Sequence, residues 1–416
     1  MKQLSIVLAM VFTLVSSAQQ SLTLEECYNL VTENYPLAKQ SVLFESQNKL
    51  DKEAISTLKL PQLNFDAQAT YQSDVIEFPL AMAGIEPLNK DQYRATLSVN
   101  QLIYNGGITD ATLNLKSAQL KTKQKQVEVS LYQLKQQINQ LYFSVLLAQE
   151  SELLLNVKKE QLEAKLKEVQ SGIKYGLVLP TSDKVLEAEL LKINQQFKEL
   201  QSNKRTLIQS LSSLISQPIN TSIVLKKPLI ETEIETELKR PELDLFQLKK
   251  EEIENSESLL SKQNTPKLLG FATGGYGNPD LNMLDNSFQA FYTTGIKLNW
   301  NVFDWNANKK QRQSLVINKE IVDNETEIFK LNTNIELNEQ QNQIEKIESF
   351  ITSDLEIINL RKEVLKSADS QLKNGVITSS AYITELTNLY EDENILIKHR
   401  IQLQLAKANY NIIKGQ

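Results

Sequence analysis

The stretch from Gly107 to Thr181 constrains this chain most. Its apolar residues Val127, Leu131, Leu134, Ile138, Leu141 and Val145 are spaced by alternating steps of four and three. That is the narrow seam of a coiled coil rather than the broader stripe of a globular helix. The frame resumes at Leu155, Leu162, Leu166, Val169 and Ile173, with no proline inside it and Gly172 as its first glycine. A helix of about 65 residues at 1.5 Å each is a rod of roughly 100 Å. No compact domain needs one so long, so the rest of the chain reads as attachments to this rod or as its copy.

The period changes on either side of it. Leu24 to Leu58 is helical in pattern, with Thr23 as N-cap, Glu25 and Glu26 in the first turn, and a break expected near Tyr35 because Pro36 follows. From Pro61 the period is two. Leu63, Phe65, Ala67, Ala69, Tyr71 and Val75 alternate with polar residues, and Ala95, Leu97 and Val99 do so again after a loop holding Pro79, Gly84 and Pro87. A β-hairpin over about 62–103 therefore sits between a helix and the rod, which runs over about 107–172. The rod turns between Gly172 and Pro180, and a return helix follows over about 181–215. A connector over 218–240 carries Glu231, Glu233, Glu235 and Glu237, read as a solvated acidic belt.

The plan then repeats. A helix from Pro241 leads to a hairpin over about 266–303, a second long helix over about 307–372 and a return helix over about 379–413. Pro61 and Pro266 are 205 residues apart, as are Tyr71 and Tyr276. After the hairpin loop the shift is 199 for Tyr93 and Tyr292, Asn100 and Asn299, and Gly176 and Gly375. One constant offset across a strand, a rod and a turn marks two structural repeats, 19–217 and 241–416.

Several function classes fall away. The net charge is -6 and no basic patch exists, so nucleic acid is not an expected partner. Cys27 is the only cysteine and His399 the only histidine, which leaves no disulfide, His-based metal site or catalytic triad within one chain, and no cofactor is expected. No enzyme is expected. Lys2, the apolar run Leu4–Val15 and the small residues Ser16-Ser17-Ala18 predict a signal peptide over 1–18. A lipoprotein signal needs a cysteine just after the cleavage point, and Cys27 is too far downstream, so no lipid anchor is expected there. Beyond it no stretch of eighteen apolar residues occurs, so a membrane span would have to be made of strands.

Four strands, each apolar on one side and polar on the other, suit a wall between lipid and water. Tyr71, Phe78, Tyr93, Tyr276, Phe291, Tyr292, Trp300 and Trp305 fall near strand ends or faces, where an aromatic belt would stand. Four strands cannot enclose a lumen, and lipid does not tolerate open edges. Several chains must then share one barrel, and three would give twelve strands. The alternative is a periplasmic coiled-coil adaptor or scaffold with no membrane span.

These features resemble the TolC-like outer membrane efflux proteins, over essentially the whole chain after the signal. The strand-to-rod junction Ile103-Tyr104-Asn105-Gly106-Gly107 carries the resemblance, with the second junction Trp300-Asn301-Val302-Phe303-Asp304-Trp305, where Trp305 stands at a more usual Gly. The rod tips Tyr175-Gly176-Leu177-Val178 and Asn374-Gly375-Val376-Ile377 complete it. The resemblance implies a mainly α chain with a transmembrane β-barrel portion. It further implies a homotrimer with one twelve-stranded barrel in the outer membrane, continued by a helical periplasmic tunnel. The function implied is a passive exit duct for efflux or type I secretion, carrying small molecules or exported polypeptides. The partners implied are a periplasmic adaptor and, through it, an inner-membrane pump.

The resemblance assigns adaptor docking to the tip residues Gly176, Leu177, Val178, Gly375, Val376 and Ile377. Independently, Leu177, Val178, Val376 and Ile377 either pack within the tip or meet a partner. Asp183, Lys184 and Glu187, with Tyr175 and Lys373, are candidates for a lumen constriction, against the plainer reading of a solvated helix start. The resemblance implies an Asp six residues past each tip glycine, used by some members in an acidic constriction; Ser182 and Ala381 stand there in this chain, which leaves open whether its gate is acidic. Asp183 lies one residue later, turned by about 100°. Lys309, Lys310 and Arg312 either meet anionic headgroups or solvate the start of the second rod.

Overall fold

The structure is a computed structural model that describes residues 21–76, 87–232 and 237–416. The expected signal peptide, Phe78, Pro79, Gly84, Glu233 and Glu235 lie outside the described residues. The chain forms two compact units, one of Met1–Lys39, Glu128–Pro241 and Phe329–Gln416, the other of Gln40–Val127 and Glu242–Ile328.

The first unit opens with strand β1 (Ser21–Leu22) and helix α1 (Leu24–Asn34). Thr23 and Glu26 form the reciprocal capping box: the Glu26 amide donates to Thr23 Oγ1 (3.2 Å) and the Thr23 amide to Glu26 Oε2 (2.7 Å). Pro36 ends this helix as expected, and α2 (Ala38–Ser56) begins beyond it. The long helices α3 (Ile108–Lys174) and α6 (Ala307–Lys373) are each 67 residues, unbroken. Their return partners are α4 (Ser182–Leu214) and α7 (Ser379–Lys414).

Within the first unit the predicted seam of α3 is the packed face. Val127 at the unit boundary and then Leu131, Ile138, Val145, Leu155, Leu162 and Val169 are buried. Leu155, Leu162 and Val169 pack with Leu186 and Ile193 of α4, Ala368 and Leu372 of α6, and Tyr382 and Leu386 of α7. Truncating a residue such as Leu162, fully buried there, to Ala would cost about 2–5 kcal/mol.

Between Ile138 and Leu146 the buried stripe is wider than a coiled-coil seam, because Tyr142, Phe143 and Leu146 join it. They meet Leu24, Cys27 and Val31 of α1, Ile208 and Leu211 of α4, and Ile223 and Leu225. The last two correct the expectation of a plain connector. Strand β4 (Val224–Leu225) pairs in parallel with β1, and the Tyr142 hydroxyl reaches the carbonyls of Leu22 (2.9 Å) and Lys226 (2.7 Å) at its ends. Cys27, within this core, has its thiol pushed up to about 12 by burial, so it is inert packing rather than chemistry.

The second unit is a sheet with the helices that feed it. Strands β2 (Gln62–Tyr71) and β3 (Asp91–Tyr104) form the first hairpin. Helix α5 (Pro241–Lys262), with Pro at its first position, leads to the second hairpin, β5 (Lys267–Asn278) and β6 (Gln289–Asn299). The two hairpins join through β3 and β5 into one antiparallel sheet of order β2-β3-β5-β6, with β2 and β6 at its edges. Val75 and Trp300–Val302, expected in strands, lie outside them. The ladder ends at the Asn299–Lys267 pair because the next position opposite Trp300 is Pro266, which has no N–H to donate; the Trp300 indole N–H instead donates to the Asn264 carbonyl (3.0 Å). The same pattern of surface ion pairs joins α2 to α3 (Lys116–Asp51, 3.0 Å) and α5 to α6 (Lys319–Glu254, 2.6 Å; Lys250–Asp323, 2.7 Å). Among the described residues no helix is long and apolar enough to cross a membrane.

Candidate functional site

The sheet is two-faced, and its register shows how. Antiparallel partners share a face. Leu63 pairs with Val99, Phe65 with Leu97, Ala67 with Ala95 and Ala69 with Tyr93. Across the central seam Val99 meets Ala272, Leu97 meets Gly274 and Ala95 meets Tyr276. On the far side Leu268 meets Leu298, Gly270 meets Ile296 and Gly274 meets Tyr292. The result is one continuous apolar face across all four strands. It has no cover: Phe65 is 70% exposed, Tyr71 79%, Tyr292 80%, Ile296 69% and Leu298 64%.

The opposite face carries Asn64, Asp66, Gln68, Arg94, Thr96, Ser98, Thr273, Thr293, Lys297 and Asn299. Two large residues sit among them. Phe291 lies over Gly275, whose absent Cβ would fall 2.5 Å from its ring, and Phe271 lies over Gly295 at 3.0 Å. The glycines make room for rings that would otherwise stand off the polar face. Arg94 then stacks its guanidinium on Phe291 (5.6 Å) and donates to the carbonyl of Pro279 (3.2 Å), which ties the β5–β6 loop to the strand.

Each strand pair passes into its rod through a left-handed step. At the first junction Gly106 and Gly107 have φ of +67° and +80°. Asn105 donates from Nδ2 to Thr109 Oγ1 (2.5 Å) across the step. Gly106 is required for a second reason, since a Cβ there would lie 1.6 Å from Thr265 Oγ1. At the second junction Trp305 and Asn306 take the same conformation, with φ of +55° and +61°. Asp304 caps α6 by accepting from the Asn308 amide (3.0 Å), and it also accepts from Asn264 Nδ2 (2.6 Å). Those hydrogen bonds hold its carboxyl below the usual range.

The tips, in the first unit, are two copies of one turn. The Leu177 amide donates to the Gly172 carbonyl (2.9 Å) and that of Gly176 to Ile173 (3.1 Å); Val376 and Gly375 repeat this with Gln371 (2.9 Å) and Leu372 (3.0 Å). Both glycines are left-handed, with φ of +73° and +69°. The two turns adjoin, since a Cβ on Gly375 would sit 3.3 Å from the Leu177 carbonyl. The four apolar tip residues divide evenly. Val178 and Ile377 pack onto the core below, whereas Leu177 and Val376 stand 66% and 71% exposed.

The constriction candidates occupy separate settings. Tyr175 is 71% exposed. Lys184 bridges Glu187 (2.8 Å) and Asp183 (3.4 Å) on its own helix, and its amine is held above the ordinary lysine range by Glu187 first. Ser182, the first residue of α4, is buried, so an acid at that position would be enclosed rather than presented. Lys373 pairs with Asp369 (2.9 Å) and Glu168 (3.6 Å).

That last pair leads to a cluster the sequence reading missed. Lys165 is 7% exposed and binds both Asp369 and Glu168 (2.5 Å), with the Tyr382 ring 5.3 Å from its amine. Burial opposes its charge, but the two carboxylates more than offset this and raise its affinity for the proton. A heptad earlier, buried Lys158 meets Glu189 (3.3 Å) and the ring of Tyr390 (4.7 Å). Two lysines seven apart beside a leucine seam were the available signal. The single histidine, His399, pairs with Asp354 (2.6 Å) across α7 and α6.

No family model matches the chain, and no curated protein matches it. Solved structures do. CusC, described as forming a transmembrane channel, superposes with a TM-score of 0.69 at 11% identity, covering 94% of this chain and 92% of that one. The CmeC outer membrane channel of Campylobacter jejuni gives 0.66 at 16% identity, over 94% and 85%. The outer membrane protein VceC of Vibrio cholerae gives 0.67 at 12% identity, over 94% and 96%. The chain has the fold of the TolC-like outer membrane channels, as the junctions and tips implied.

Proposed function

We propose that this chain is a subunit of an outer membrane efflux duct. The sheet supports this reading most directly: a four-stranded antiparallel sheet with one uncovered apolar face, one polar face and two open edges. Lipid satisfies the apolar face, and the open edges are satisfied by further copies. Strand directions alternate from β2 to β6, so β6 of one copy meets β2 of the next in antiparallel sense. Three copies close a ring of twelve strands, with the polar face around water.

The duct is passive and takes no cofactor. Its domains are the two repeats, 19–217 and 241–416, joined by 218–240. The exposed Leu177 and Val376 beside Gly176 and Gly375 are the contact points for a periplasmic adaptor, through which an inner-membrane pump supplies energy. Type I secretion of polypeptides is the finer alternative to efflux of small molecules. Asp183, Lys184 and Glu187 act, in this reading, as a charged ring at the narrow end.

A cysteine walk tests the core of it. Buried Cys27 gives little background, so single cysteines from Tyr292 to Leu298 can be labelled in reconstituted vesicles. Alternate positions should react with a lipid-confined reagent and the others with a water-soluble one. Equal labelling by the aqueous reagent at every step, or a particle of one chain in mild detergent, would rule the duct out. Purified trimers should also conduct ions across a planar bilayer, and Asp183→Ala with Glu187→Ala should raise that conductance. An unchanged conductance would return those two residues to the solvated helix start.

A further inference from the structure

The two strand-to-helix junctions share a backbone conformation but not a chemistry. A left-handed residue suits Gly, is tolerated by Asn and is unfavourable for a residue as bulky as Trp. Trp305 adopts it at φ +55° without finding cover: it is 80% exposed, and the Phe303 ring, edge-on to it at 4.8 Å, is itself 64% exposed. Val302, 71% exposed, and Trp300, 53% exposed, carry the apolar surface back to Leu298 on the uncovered sheet face.

Charge differs as well. The first junction is followed by Asp110, paired with Lys59 at 2.8 Å. Under the 199-residue offset its counterpart is Lys309, and Lys310 follows. Both lysines are exposed, and neither forms an ion pair among the described residues, whereas Arg312 is paired with Glu257 at 3.0 Å. Exposed rings that continue an apolar face, followed within a few residues by uncompensated cations, match the layered chemistry of a bilayer surface. Rings rest at headgroup depth and cations meet phosphates.

We propose that Phe303, Trp305, Lys309 and Lys310 form a seat for an anionic phospholipid headgroup, on the membrane face from which the helices emerge. The first junction exposes Tyr104 (55%) where Phe303 stands, but it has Gly106 in place of the second ring and a paired Asp110 in place of Lys309, so it lacks the seat. A ring of three copies would then alternate three seats with three junctions that lack the second ring and the unpaired cations. This rests on the membrane reading of the sheet.

Trp300 and Trp305 are the only tryptophans, so each can be made the sole reporter. The full chain carrying Trp300→Phe is reconstituted in phosphatidylcholine vesicles with and without phosphatidylglycerol, one lipid at a time brominated near the headgroup end of its chains. Trp305 emission should be quenched severalfold more by brominated phosphatidylglycerol than by brominated phosphatidylcholine at equal mole fraction. Lys309→Gln with Lys310→Gln should abolish that preference while leaving the particle trimeric. Equal quenching by the two lipids overturns the proposal. So does an unquenched Trp305 when Trp300, reported by Trp305→Phe, is quenched; the sheet is then in lipid but the junction binds no headgroup. Absence of quenching at both tryptophans removes the membrane reading itself.

Discussion

The two tips are near copies of each other, and the two strand-to-rod junctions are not. Gly176 and Gly375 close their helices with the same pair of hydrogen bonds and almost the same φ. Gly106 and Trp305 also share a left-handed φ, yet one side chain is absent and the other is the largest of the twenty. The backbone path is set by what the flanking elements must do, which is the same in both repeats. The side chain is set by what lies beside it. Thr265 fills the space at Gly106, whereas Trp305 is 80% exposed with the Phe303 ring edge-on to it.

Perturbing the glycines should make this difference larger or erase it. The largest effect is expected at Gly106. Gly106→Ala places a methyl on Thr265 and keeps a left-handed φ, and should cost about 3 kcal/mol or more, read as thermal midpoint in detergent. Adding Thr265→Gly should recover the steric share and leave about 1–2 kcal/mol of backbone strain. No recovery would mean that the close approach is not what selects glycine.

Next comes the charged cluster behind the tips. Lys165→Met removes the buried cation between Asp369 and Glu168, leaving Asp369 with the more exposed Lys373 alone, and should lower the thermal midpoint by several degrees near neutral pH. The folded state raises the lysine, so its contribution is complete below the ordinary lysine range and disappears as pH climbs through the raised value. Asp369 is lowered overall: burial works against its charge, but Lys165 and then Lys373 prevail. Its contribution is therefore present above the ordinary carboxylate range and disappears as pH falls through the lowered value. Wild type and variant should differ across the neutral range and converge at both extremes; a gap that persists at high pH would point to packing instead.

The tip glycines should respond alike and more mildly. Gly176→Ala has only backbone strain to meet, about 1–2 kcal/mol. Gly375→Ala adds a 3.3 Å contact with the Leu177 carbonyl and should cost slightly more. A large gap between them would break the equivalence of the two turns. The smallest change has the opposite sign. Trp305→Gly removes strain and little packing, so it should raise stability in detergent by about 1 kcal/mol. A fall would show that the stack on Phe303 holds the junction.

Much of this was legible in the chain because it depends on one residue's phase in a local repeat. The seam from Leu131 to Val169 and the alternation from Tyr292 to Leu298 each follow from helix or strand geometry and the hydrophobic effect alone. So do the glycine turns and the Thr23 cap. Register and distant company were not local. That β3 joins β5, that Leu225 pairs back to Leu22, and that the Trp300 indole reaches the Asn264 carbonyl each depend on partners outside the element. Lys165 looked like any solvated lysine until folding brought Asp369 to it across some two hundred positions. Ser182, at a helix start that reads as solvated, is likewise buried in the fold. Periodicity alone decided which residues seek cover. The tertiary structure decided which found it, because burial and charge pairing belong to contacts between elements and not to any single element.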